Sequence, residues 1–96
     1  MTQNNAIGID YSEQRLRVLV EEYITQQRGI FSLHGACAYV LYWAMEDGHT
    51  LPAAGTLCQS DKLSPADCQR VSAVLQKIAQ EGRIAADGDV YRQVMN

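Results

Sequence analysis

Residues 74–94 read VLQKIAQEGRIAADGDVYRQV, and the fold turns on how they are divided. Val74, Leu75 and Ile78 close a helical apolar stripe. Gly82 then stops it, because glycine takes the left-handed conformation without steric penalty. Beyond the glycine, RIAA and DVYR flank Asp87-Gly88, a pair suited to a two-residue primed hairpin turn. That centring predicts Ile84 opposite Tyr91, an apolar cross-strand pair, and Arg83 opposite Arg92. Like charges directly opposed disfavour a ladder unless an anion or an acidic neighbour joins them. A helix that ends on glycine and runs at once into a hairpin lays the ribbon beside its own C-terminus.

The start of this helix is equally well marked. In SPAD, residues 64–67, Ser64 serves as cap, Pro65 fills the first turn where no N–H is needed, and Asp67 completes a capping box. With Val71, Val74, Leu75 and Ile78 inward, the outward face carries Gln69, Arg70, Ala73, Gln76, Lys77 and Gln80. A first helix is expected from about Tyr11 to Arg28, capped by Asp10 with Glu13 in box position. Its stripe is Leu16, Leu19, Val20, Tyr23 and Ile24, Glu13 pairs with Arg17 outside, and Gly29 ends it. Ile30 and Phe31 suit a short strand. Ser32 then caps a second helix, Leu33–Asp47, which stops at Gly48.

That second helix, LHGACAYVLYWAMED, is apolar on nearly every side. A small domain has too little material to cover it all round, so Tyr39, Tyr42, Trp43 and Met45 are expected to meet a protein partner or a second copy of the chain. Residues 49–63 are harder to read; Thr50 and Pro52 can start a short helix through Leu57 and Cys58.

The totals bound the answer. Ninety-six residues make one domain, 47% of them apolar, enough for a single core. Residues 1–9 are expected as a polar tail and 10–96 as the domain. No run of about 18 apolar residues offers a membrane span. MTQNNAIGID has neither the basic start nor the apolar stretch of a signal peptide. Three cysteines, an odd number at irregular spacing, point to free thiols in a reducing cytoplasm. The formal charge is −3. Residues 64–96 are balanced, Arg70, Lys77, Arg83 and Arg92 against Asp67, Glu81, Asp87 and Asp89, so half of the eight basic residues lie in the last third.

Helix, short strand, helix, helix and two-stranded ribbon is an order that resembles the winged-helix superfamily over residues 11–94, most closely in VLQKIAQEGRIAADGDVYR. The resemblance implies a mainly α, three-helix domain with a C-terminal wing. It also implies double-stranded DNA binding, with the third helix in the major groove and the wing on the backbone. Carried onto this chain, the base-reading candidates are Gln69, Arg70, Ala73, Gln76, Lys77 and Gln80, with Arg83 and Arg92 on phosphates. Such a protein would act as a transcriptional regulator, its two weak half-site contacts added by a homodimer. The second helix is long and apolar for this layout, so an alternative makes 49–59 the supporting helix and Leu33–Asp47 an added dimerisation element. Asp87 and Asp89 at the wing tip would repel phosphate. Together with the overall charge they favour the competing class, an acidic interaction adaptor that never meets DNA.

Other chemistry finds less support. His34 and Cys37 share a helix side, but Cys58, Cys68 and His49 lack the tight paired spacing of zinc ligands, so no metal or cofactor is expected. A Cys–His nucleophile pair lacks an orienting acid and an oxyanion site. Glu21-Glu22 and Glu46-Asp47 point apart on their helices, and the glycines show no phosphate-loop spacing. No enzyme is expected. Tyr39, Tyr42 and Trp43 lack the flanking cations of a single-strand binder.

Overall fold

The computed structural model describes residues 8–27, 29–50 and 63–94. Three helices, α1 (Glu13–Gln26), α2 (Leu33–Asp47) and α3 (Pro65–Gln80), pack with three short strands, β1 (Ile30–Ser32), β2 (Ile84–Asp87) and β3 (Val90–Gln93). The strands form one antiparallel sheet in the order β1-β3-β2. The fold is mainly α, with the small sheet closing one side.

Helix α1 begins later than its periodicity suggests. Ser12, not Asp10, is the cap and accepts from the Arg15 amide, while Tyr11 and Leu16 take the flanking positions of a hydrophobic staple, both buried. The helix ends at Gln26, short of Gly29. Its last turn is closed from outside, because the Gln93 side-chain amide donates to the carbonyls of Ile24 and Gln27 at 2.6 and 2.7 Å. Leu16, Leu19, Val20 and Ile24 form the buried stripe. Helix α2 has the expected bounds and caps, Ser32 at its start and Gly48 at its end with φ 74°.

Helix α3 starts on Ser64, whose hydroxyl accepts from the Asp67 amide. It ends in a Schellman arrangement: the Gly82 N–H donates to Ala79 O, the Arg83 N–H to Ile78 O, and Gly82 has φ 83°. Leu75 and Ile78 from α3, Leu16 and Val20 from α1, Val40 from α2 and Ile84 from β2 make the centre of the core.

The hairpin register differs from the expected one. Asp87 pairs with Val90, Ala86 with Tyr91, Ala85 with Arg92 and Ile84 with Gln93, so the turn is Gly88-Asp89. An Asp87-Gly88 primed turn would require positive φ at Asp87. Only glycines adopt positive φ among the described residues, and Gly88 takes it at the first turn position, as a II′ turn uses. The pairing moves by two in register, so Ile84 and Tyr91 keep a common face and Tyr91 stacks on Phe31 at 6.0 Å. Arg92 now lies opposite Ala85 and Ile30, and the opposed arginines do not arise.

The expected tail also needs correction, since Ile9 is buried. It pairs with Thr50, and the Asp10 N–H donates to His49 O at 2.8 Å. Residues 8–12 thus bind the end of α2. Residues 1–7, and the short helix expected from Thr50 through Leu57 and Cys58 apart from Thr50 itself, lie outside the described residues.

Gly35 packs under the Tyr23 hydroxyl, and a Cβ there would overlap that oxygen. The Tyr23 ring is held between Phe31 and Tyr39, with centroids at 5.8 and 5.5 Å, and has little room to swing aside. Gly35→Ala is therefore expected to destabilise by about 1–3 kcal/mol. Adding Tyr23→Phe should recover part of this, read as non-additive urea midpoints; full additivity of the two variants would show that the contact is not the cause.

Candidate functional site

On α3 the residues at 69, 73, 76 and 80 recur at i, i+4, i+7 and i+11, one row along the side opposite the core. Gln69, Ala73, Gln76 and Gln80 are all exposed, and Lys77 flanks the row on the side of α1. Helix α3 contains one carboxylate, Asp67, and it is buried at 7% exposure. In a chain of charge −3, the exposed residues of α3 itself are amide-rich and include one cation and no carboxylate; Glu81, its exposed C-cap, pairs with Arg17, and Glu13 of α1 borders Ala73 and Lys77.

Arg70 does not belong to that face. Its guanidinium turns toward α1, where Nε donates to Glu13 at 2.8 Å, one terminal nitrogen to Asp67 at 2.9 Å, and the other to the Tyr11 carbonyl. The expectation that Arg70 reads bases is corrected on this geometry, since all three nitrogens are spent inside the molecule. The expected Glu13–Arg17 pair is replaced for the same reason. Glu13 serves Arg70, and Arg17 bridges Glu21 at 2.7 Å and Glu81 at 2.6 Å.

Arg83, at the root of the hairpin, pairs with Glu21 at 3.2 Å while remaining 46% exposed at its side chain. Hydrogen bonding from Arg17, with the nearby Arg83 charge, holds the Glu21 carboxyl below its ordinary range. Arg92 is exposed on the outer face of the sheet, beside Ile30 and Ala85. Among the described residues, Arg15, Lys77 and Arg92 have no ion pair, whereas Arg17, Arg70 and Arg83 have one or more.

The other candidate surface is on α2. Tyr42 and Met45 are 57% and 55% exposed, and Trp43 lies at 36%. Tyr39 is half-buried instead, its hydroxyl linked to Gln26 and Glu22 of α1, so it belongs to the α1–α2 contact. Ala38, Leu41, Tyr42 and Met45, with Leu63 and Cys68, line an apolar groove of about 740 Å3. Burial, with a contact from the Cys68 thiol, pushes the Cys37 thiol up to about 12, so Cys37 is an unreactive core thiol. Among the described residues no group of three or more His, Cys, Asp or Glu side chains is placed to hold a metal ion. No helix among them is long and apolar enough to cross a membrane.

Sequence reading missed the Asp67 centre. One carboxylate oxygen accepts from the Ile9 amide at 3.1 Å and the Ser64 hydroxyl at 2.6 Å, and the other accepts from Arg70. The one sequence signal was Asp67 in the capping position; its partner Ile9 lies 58 residues away. Comparison with protein-family models, curated proteins and solved structures finds no match for this chain.

Burial alone would raise the Asp67 carboxyl, but the bonds from Ser64, Arg70 and Ile9 outweigh it and hold the group below its ordinary value. A depressed carboxyl contributes stability that is present above its unfolded value near pH 4 and is lost as pH falls through the folded value. Asp67→Asn is therefore expected to cost about 1–3 kcal/mol at neutral pH and to flatten the acid limb of the stability curve. Chemical denaturation between pH 2 and 7 checks both. An unchanged acid limb would mean the centre does not carry this linkage.

Proposed function

We propose that this chain is a winged-helix module that binds double-stranded DNA, with α3 in the major groove and the β2–β3 hairpin as its wing. The element order and the β1-β3-β2 sheet fit that layout. The observation that carries the reading is the segregation of charge: in an acidic chain no exposed residue of α3 is a carboxylate, and the acids at its border, Glu13 and Glu81, are each held by an arginine, where a phosphate-lined groove would repel free ones. Side chains on that row present amide donors and acceptors, the groups that meet base edges. Lys77 and Arg92 supply phosphate contacts, and Arg83 can exchange Glu21 for a phosphate because half of its side chain is already in water. Asp87 and Asp89 keep the wing tip off the backbone. The biological role that follows is transcriptional regulation.

A second reading rests on a different observation, the exposure of Tyr42, Trp43 and Met45 on α2. Their size and apolar character suit a protein partner, and the simplest is a second copy of the chain. The two readings are compatible, since a dimer would place two α3 helices on two half-sites.

Fluorescence anisotropy with a labelled mixed-sequence duplex tests the first reading. Binding is expected at low salt, weakening as salt rises, and Lys77→Ala with Arg92→Ala should lower the salt slope by about one per contact. No binding at low salt by folded protein would refute it. Light scattering tests the second: the wild type should exceed 10.7 kDa at micromolar concentration and Tyr42→Glu with Met45→Glu should return it to that mass. A wild type that stays at the monomer mass throughout would remove self-association.

A further inference from the structure

Resting on the duplex-binding reading above, we infer that the α3 face selects A·T base pairs through the major groove. The row has three glutamines, Gln69, Gln76 and Gln80, around one small apolar residue, Ala73, all exposed. A glutamine amide matches adenine, its carbonyl accepting from N6–H and its NH2 donating to N7, and an alanine methyl suits the thymine C5-methyl. Eleven residues of helix rise about 16 Å, so the row covers several consecutive base pairs.

The face also lacks what G·C pairs call for. Guanine presents two acceptors, O6 and N7, and is read best by a guanidinium with two parallel donors. The one arginine of α3 is Arg70, and Glu13, Asp67 and the Tyr11 carbonyl hold all three of its nitrogens. Cytosine N4–H2 calls for a carboxylate, and Asp67 is buried. Lys77 is the sole cation on the exposed side, at its α1 edge beside Glu13 and Arg17. A lysine there is a point charge reaching a phosphate as readily as a base. By sequence alone Arg70 stands among the readers of guanine; the fold takes it out of that set.

The side chains of Gln69, Gln76 and Gln80 are exposed and make no hydrogen bond within the described residues, so replacing them leaves the fold intact. The test is selection by the full chain from a randomised duplex library at low salt, followed by anisotropy on the enriched duplexes. Enrichment of A·T cores is expected, with each A·T→G·C change lowering affinity on the order of tenfold. Gln76→Ala should lower discrimination between A·T and G·C at one position on the order of tenfold. Replacing adenine by 7-deazaadenine in the core removes the N7 acceptor from the major groove and should cost a similar factor. Retention of duplex with G·C cores, with no enriched sequence, or with full tolerance of 7-deazaadenine would overturn A·T readout and leave duplex binding standing. Failure to retain any duplex would overturn both.

Discussion

The buried carboxylate of Asp67 is the constraint on which the rest of the structure hangs. An ionised group out of water must be surrounded by donors, and here two are local to α3, the Ser64 hydroxyl and the Arg70 guanidinium, while the third, the Ile9 amide, comes from 58 residues away. Satisfying it therefore pins residues 8–12 across the start of α3. The same short segment pairs with Thr50 and accepts placement by His49 at the end of α2. The relative setting of α2 and α3 is thus held from outside, by a strap, over the stretch where their own connection is longest. Removing the Arg70 guanidinium would take away both the charge partner of Asp67 and the donor to the Tyr11 carbonyl, loosening the strap.

Local chemistry was well written in the sequence, and long-range chemistry was not. Ser32, Gly48, Ser64, Pro65 and Gly82 each act within four residues of themselves, and each stands where its type and spacing place it. The buried stripes of α1 and α3 likewise follow from period alone. Errors came where two local signals competed or where the partner was distant. Asp10 and Ser12 both suit a cap, and the buried Tyr11 decides for Ser12 by taking the staple position. Asp87-Gly88 has the composition of a primed turn, yet a glycine followed by aspartate satisfies a II′ turn without forcing aspartate to positive φ. Arg70 looked outward on a helical wheel, and nothing nearby in sequence says that Glu13 and the Tyr11 carbonyl wait for it.

Arginine placement sets the charge of the α3 surface. Arg17, Arg70 and Arg83 are drawn inward by Glu13, Glu21, Asp67 and Glu81, which knits α1 to both ends of α3. Surface pairs of this kind add little stability one by one, but they set where charge is absent. The solvent side of α3 ends up nearly neutral in a chain that is acidic elsewhere. Few counterions would then be released on a duplex, so non-specific attraction stays weak. For the duplex binding proposed above, affinity would then have to come from base edges or from doubling the contact. The first demand falls on the glutamine row, whose groups pair in two directions at once. The second falls on α2, where Tyr42, Trp43 and Met45 remain uncovered. On the duplex-binding proposal, a low background of phosphate binding would make modest base contacts decisive, since specificity is a ratio and its denominator would be small.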